Sequence, residues 1–146
     1  MNEEIWKDVV GYEGLYQVSN LGNVKRLRFI NGKYNFEKVT ICKQQMRGRY
    51  LTTRLCKNGT IKRYSIHRLV AQAFPEICGK WFENCEVDHL DTITTNNIAT
   101  NLKVCTRKEN INNPITLKNI KNNSGLKTRF KKGVRYNDEN RFNCTI

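Results

Sequence analysis

The segment 85–114, CEVDHLDTITTNNIATNLKVCTRKENINNP, leaves its backbone few choices. Two short runs, CEVDH and NLKVCT, flank a segment built almost wholly from short polar side chains. Alternation at period two is the strand signature, and it puts Leu102 and Val104 on one face. Thr106 and Glu109 stand three apart as a capping box, so a helix starts after Thr106. Pro114 ends that helix near Asn113, because a residue preceding proline is pushed out of the helical region. The expected unit is strand, long polar loop, strand, helix.

The chemistry at the corners of this unit is specific. Asp88 and His89 close the first strand, and Asn110 and Asn113 lie three apart on one helical face. A hard divalent cation such as Mg²⁺ takes oxygen ligands, carboxylate and amide among them, whereas zinc prefers thiolate and imidazole. Asp88 with one of the two asparagines suits the former, which leaves His89 to act as a base near neutral pH. One geometric condition applies. Neighbours in a regular strand point to opposite faces, so Asp88 and His89 share a site only if strand pairing ends at His89.

The rest of the chain supplies charge and more strands. With 26 basic and 13 acidic residues the formal net charge is +13, which points to a polyanion such as nucleic acid. LYQVSN and NVKRL read as strands joined by a turn at Asn20–Asn23, with Lys25 and Arg26 just beyond it in reach of phosphate. Trp6, Tyr12, Leu15, Tyr16, Val18 and Val24 are the expected small core. RYLTTRLCKNGTIKRYSIHRL is a hairpin turned at Asn58–Gly59, since both central positions of a type I′ turn need positive φ. Arg47, Arg49, Arg54, Lys62 and Arg63 gather on this ribbon and its approach, and with Arg107 they are the expected DNA contacts of the body of the chain. HRLVAQAF is a helix stopped by Pro75, with His67 at its start as a packed or capping imidazole.

VDHLDTITTNNIATNLKVCTRKEN resembles the HNH nuclease motif, the ββα-metal finger, in the phage and intron-encoded branch that carries Asn at the last position. The likeness runs through DH, NN, NL and EN in order. HRLVAQAFP is similar to the segment preceding the motif in that branch, and WKDVVGYEGLYQVSNLGNVKRL to a nuclease-associated N-terminal module. Together they span Trp6 to about Pro114. The resemblance implies that His89 is the general base and Asp88 a metal ligand. It makes Asn101 the middle asparagine, which ties the loop and helps orient the histidine, and Asn110 the second metal ligand, with Asn113 as the alternative. Asp91, Asn96 and Asn97 fall on loop positions with structural roles. The activity implied is metal-dependent hydrolysis of a DNA phosphodiester to 3′-hydroxyl and 5′-phosphate ends, with nicking as the outcome for one site per chain.

The expected fold class is α+β. Residues 1–66 form a β-rich DNA-binding module and 67–121 the nuclease finger with its preceding helix. Residues 122–146 form a basic segment whose SG…KGVRYNDENRFNCTI is similar to the start of the small DNA-binding domain of plant ethylene-response factors, cut short before its third strand. Lys131, Lys132 and Arg135 are its expected DNA contacts. The implied cofactor is Mg²⁺, with Mn²⁺ as a substitute. No structural zinc is expected, because none of the six cysteines forms a C-x-x-C pair. The implied partner is double-stranded DNA, with neither a membrane nor a small-molecule substrate, and monomer and dimer are both open. The expected location is the cytoplasm of a bacterial host, the gene belonging to a phage or mobile element. The competing readings are a non-catalytic DNA-binding protein with a decayed finger and, below it, an RNA nuclease or ribosome-associated protein.

Overall fold

The computed structural model describes residues 3–27, 29–31, 34–36, 38–115 and 117–118. It is α+β, with small antiparallel sheets and short helices. β1 (Trp6–Asp8), β2 (Tyr16–Ser19) and β3 (Val24–Arg26) start the first sheet. A two-stranded excursion follows, β4 (Phe29–Asn31) against β5 (Tyr34–Phe36), and β6 (Thr40–Ile41) returns to pair with β3. The β2–β3 turn is closed by Ser19, whose hydroxyl accepts from the amides of Leu21 (3.3 Å) and Asn23 (3.0 Å).

The second sheet has the order β7 (Gln45–Arg47), β8 (Tyr50–Lys57), β9 (Thr60–Ser65). Its hairpin turns at Asn58 (φ 52°) and Gly59 (φ 76°), both positive as the type I′ geometry requires. The strand β7 is absent from the sequence expectation. It is three residues of exposed side chains without an apolar face to betray it, and it is held by its ladder to β8.

The helix α1 (Ile66–Ala73) is where the halves of the chain meet. Ile66, His67, Leu69, Val70, Ala71 and Ala73 are all buried, and the helix packs on β2, β8 and β9 on one side and on β10 (Glu86–His89) and β11 (Leu102–Cys105) on the other. Pro75 does not merely stop α1. It opens a further turn, α2 (Pro75–Cys78), where its missing N–H is no loss. Val9, Val18, Val24, Leu55, Ile66, Val70, Phe74 and Leu102 belong to one buried cluster, so the apolar core is continuous across the boundary expected near residue 66.

β10 and β11 pair antiparallel from Glu86↔Cys105 to His89↔Leu102. The helix α3 (Arg107–Ile111) follows, and both capping-box bonds form, Glu109 N to Thr106 Oγ1 and Thr106 N to the Glu109 carboxylate. The chain is helical again at 114–115 and 117–118, with Asn113 Oδ1 accepting from Ile115 N at its start. The expected basic tail, with Lys131, Lys132 and Arg135, lies outside the described residues. Among the described residues no helix is long and apolar enough to cross a membrane.

Candidate active site

The regular β10–β11 pairing ends at His89↔Leu102, one last bond runs from Leu90 N to Asn101 O (2.9 Å), and the chain turns there with Thr92 N on His89 O (2.8 Å). Asp91 is the hub of the polar loop. Its Oδ1 accepts from Ile93 N (2.8 Å) and Asn101 Nδ2 (2.9 Å), and its Oδ2 accepts from Asn96 Nδ2 (2.7 Å). Asn101 closes the ring, its Oδ1 accepting from Asp91 N (3.1 Å) and its Nδ2 also donating to Asn96 O (2.9 Å). Burial opposes ionisation of Asp91, yet the bonds from Asn96, Ile93 and Asn101 prevail and hold its carboxyl below the usual range.

The side chain that meets His89 is Asn97. Its Oδ1 lies 3.2 Å from His89 Nε2, and both residues are buried. An amide oxygen only accepts, so this contact is a hydrogen bond in the tautomer that carries its hydrogen on Nε2. The two tasks expected of Asn101 are therefore divided: Asn101 ties the loop, and Asn97, expected to be structural only, makes the contact to the histidine. Spacing alone does not separate them, since both are asparagines in one loop.

The His89 ring also sits in an aromatic nest. His67 approaches edge-on with ring centroids 5.2 Å apart, Tyr50 lies 4.8 Å from His67, and Tyr50 stacks near-parallel to His89 at 6.1 Å. His67 is buried, and among the described residues its Nδ1 has no hydrogen-bond partner. Burial pushes its pKa down to about 4, helped by the neighbouring His89 and Arg68 charges. Burial thus favours its neutral form.

Asp88, His89 and Asn110 line one cleft of about 250 Å³, together with Arg49, Tyr50, Thr92 and Thr94. Asn110 Nδ2 donates to Glu86 Oε2 (2.7 Å), and that bond fixes the amide with its oxygen as the remaining group. Asn113 is placed differently. Its Nδ2 donates to Asp88 Oδ2 (2.6 Å) and its Oδ1 caps the next helical turn. It borders a second, wider groove that Asp88 shares but His89 does not. Asn113 therefore holds the Asp88 carboxylate from behind, while Asn110 faces the cleft beside His89. Among the described residues no hydrogen bond reaches Asp88 Oδ1, so a carboxylate oxygen and an amide oxygen are the donors left, a set that suits a hard divalent cation.

The basic side chains frame this cleft unequally. Arg49 reaches it because the β7–β8 turn is fastened to the polar loop, Thr94 Oγ1 donating to Arg49 O. Arg54 and Arg63 are directly opposite in the β8–β9 ladder and both exposed, so they share one face, while Lys62 pairs with Leu55 on the other. Arg47 and Arg107 are exposed and Arg26 half-buried. The ammonium of Lys25 rests 4.0 Å from the centre of the Trp6 ring.

The NUMOD4 motif matches residues 4–68, and the HNH endonuclease family matches residues 64–111. A solved structure, DNA binding and cleavage by the HNH homing endonuclease I-HmuI, superposes with a TM-score of 0.63 at 33% identity, over 85% of this chain and 68% of that one. The chain belongs to the HNH endonuclease family. By sequence this HNH chain is 40% identical over 111 residues to the DNA endonuclease I-HmuI of Bacillus phage SP01, covering 76% of this chain and 58% of the relative. It is 32% identical over 135 residues to an uncharacterized HNH endonuclease of Acanthamoeba polyphaga mimivirus, covering 92% of this chain and 35% of that protein. The chain thus spans little more than half of the first relative and about a third of the second.

Proposed function

We propose that this chain is a homing-type DNA endonuclease that hydrolyses a phosphodiester bond with a divalent ion, Mg²⁺ or its substitute Mn²⁺. The observation that carries the reading is the meeting of Asp88, His89 and Asn110 in one cleft, with the Nε2 of His89 on the Asn97 amide oxygen. Asp88 Oδ1 and Asn110 Oδ1 would hold the ion, with Asn113 and Glu86 orienting them. When bound, the ion supplies charge neutralisation at the scissile phosphate and at the departing 3′ oxygen.

The chain's own residues do the rest. His89 Nδ1 takes a proton from the attacking water, and the imidazolium so formed is stabilised by the Asn97 oxygen on the far nitrogen. Arg49 at the cleft offers a cation to the phosphate, and the exposed Arg54–Arg63 face follows the backbone of double-stranded DNA. The products are a 3′-hydroxyl and a 5′-phosphate, and one site per chain makes a nick. The N-terminal sheets and α1 serve as the DNA-binding platform of the finger. The setting that suits this activity is the cytoplasm of a host cell carrying the phage or mobile element.

Incubation with supercoiled plasmid and Mg²⁺ tests the proposal. Nicked circles should appear, EDTA should stop them, and His89→Ala should bind DNA with unchanged affinity but no longer cut. A His89→Ala protein that nicks at the wild-type rate refutes the assignment. A wild-type protein that binds but never cuts leaves the decayed-finger reading in its place.

A further inference from the structure

The N-terminal turn between β2 and β3 lies against the catalytic loop, far from it in sequence. Gly22, at φ +86°, faces Asn97 so closely that a methyl group in place of its hydrogen would sit 2.9 Å from Asn97 Cβ, 3.1 Å from its carbonyl oxygen and 3.3 Å from its carbonyl carbon. Two residues on, Ala99 N donates to Asn20 O (2.8 Å). The turn is braced in its own right: Asn20 Oδ1 accepts from Ile5 N (2.8 Å), Asn20 Nδ2 donates to Glu3 O (3.1 Å), and Gln44 Nε2 donates to Gly22 O (2.8 Å).

We infer that this turn is a positioning part of the nuclease site: Gly22 and Asn20 seat Asn97, and Asn97 sets the ring of His89. The inference rests on the proposed role of His89 and gives the N-terminal sheet a second task besides contacting DNA. Asn97 is buried, its backbone is pinned at Ala99, and its neighbour Asn96 is tied to Asp91 and Asn101. It therefore has little freedom to absorb a push from Gly22 except through its side chain, whose oxygen lies on His89. Glycine is required at 22 for two separable reasons, the left-handed backbone and the lack of room.

A control in the same chain separates the two. Gly11 has nearly the same φ, +81°, with nothing within 4 Å of an added methyl. Gly11→Ala and Gly22→Ala both place an alanine at a left-handed φ, and only the second displaces Asn97. The assay is nicking of supercoiled plasmid in Mg²⁺ with protein in excess, which gives the saturating rate and the half-saturating protein concentration separately. Gly22→Ala is expected to lose about tenfold or more in saturating rate with half-saturation within about twofold of wild type, while Gly11→Ala keeps the wild-type rate. Asn97→Ala should repeat the Gly22→Ala loss, and Asn97→Asp, which keeps an accepting oxygen, should recover most of it. These two decide the matter if Gly22→Ala fails to fold. The inference is overturned if Gly22→Ala cuts as fast as Gly11→Ala, or if Asn97→Ala cuts like wild type, in a series where His89→Ala is inactive. If His89→Ala is itself active, the site assignment fails and this inference fails with it.

Discussion

Acid should weaken this fold through His67, and the size of the effect follows from its surroundings. The imidazole is buried among Tyr50, His89 and Arg68, and its pKa is lowered from 6.5 to about 4. Between those values the unfolded chain binds a proton that the folded chain refuses. Stability therefore rises with pH across this window and is lost as pH falls through it. Integrating the difference gives about 2 kcal/mol lost between pH 7 and pH 5, and about 3 kcal/mol once pH falls below both values. His67→Phe keeps a ring against Tyr50 and His89 and removes both the titration and the unpaired Nδ1. Urea unfolding of the two proteins at pH 7 and pH 5 reads the effect directly. The wild-type midpoint should fall by roughly 1 M more than that of the variant, taking a typical denaturant slope. At pH 7 the variant should be at least as stable as wild type, since the buried, unpaired ring nitrogen is gone. If both proteins lose stability in parallel on acidification, His67 is not held neutral by burial and the reasoning is wrong.

Other substitutions separate the remaining roles. Asn113→Ala should weaken Mn²⁺ activation about 10- to 100-fold with the maximal rate largely kept, because the Asp88 carboxylate loses its support, whereas Asn110→Ala should not be rescued by added metal. Metal titration of the nicking rate distinguishes them. Thr106→Ala should cost about 1 kcal/mol in urea unfolding, as α3 loses its N-terminal cap. DNA affinity should fall steeply with salt in gel shifts, and Arg54→Ala or Arg63→Ala should each lower the slope of log K against log salt by about one.

What could be read from the sequence was whatever a few neighbouring residues settle among themselves. The Asn58–Gly59 turn, the Thr106–Glu109 capping box, the two strands of the finger and, within a residue, the helix expected over 67–74 and found at Ile66–Ala73 all appear where local rules put them, because φ preferences, capping and side-chain period act over one to four residues. The family could be read as well, since DH, NN, NL and EN lie in one short stretch. Tertiary structure alone decided which asparagine touches what. Asn97 rather than Asn101 reaches His89, and Asn113 backs Asp88 while Asn110 enters the cleft. It also brought Tyr50 and His67 around His89, pinned Arg49 to Thr94, and set Gly22 against Asn97. These contacts join residues far apart in the chain, brought together across one continuous core. No local preference of an asparagine or a glycine encodes that distance; only close packing of the whole core does.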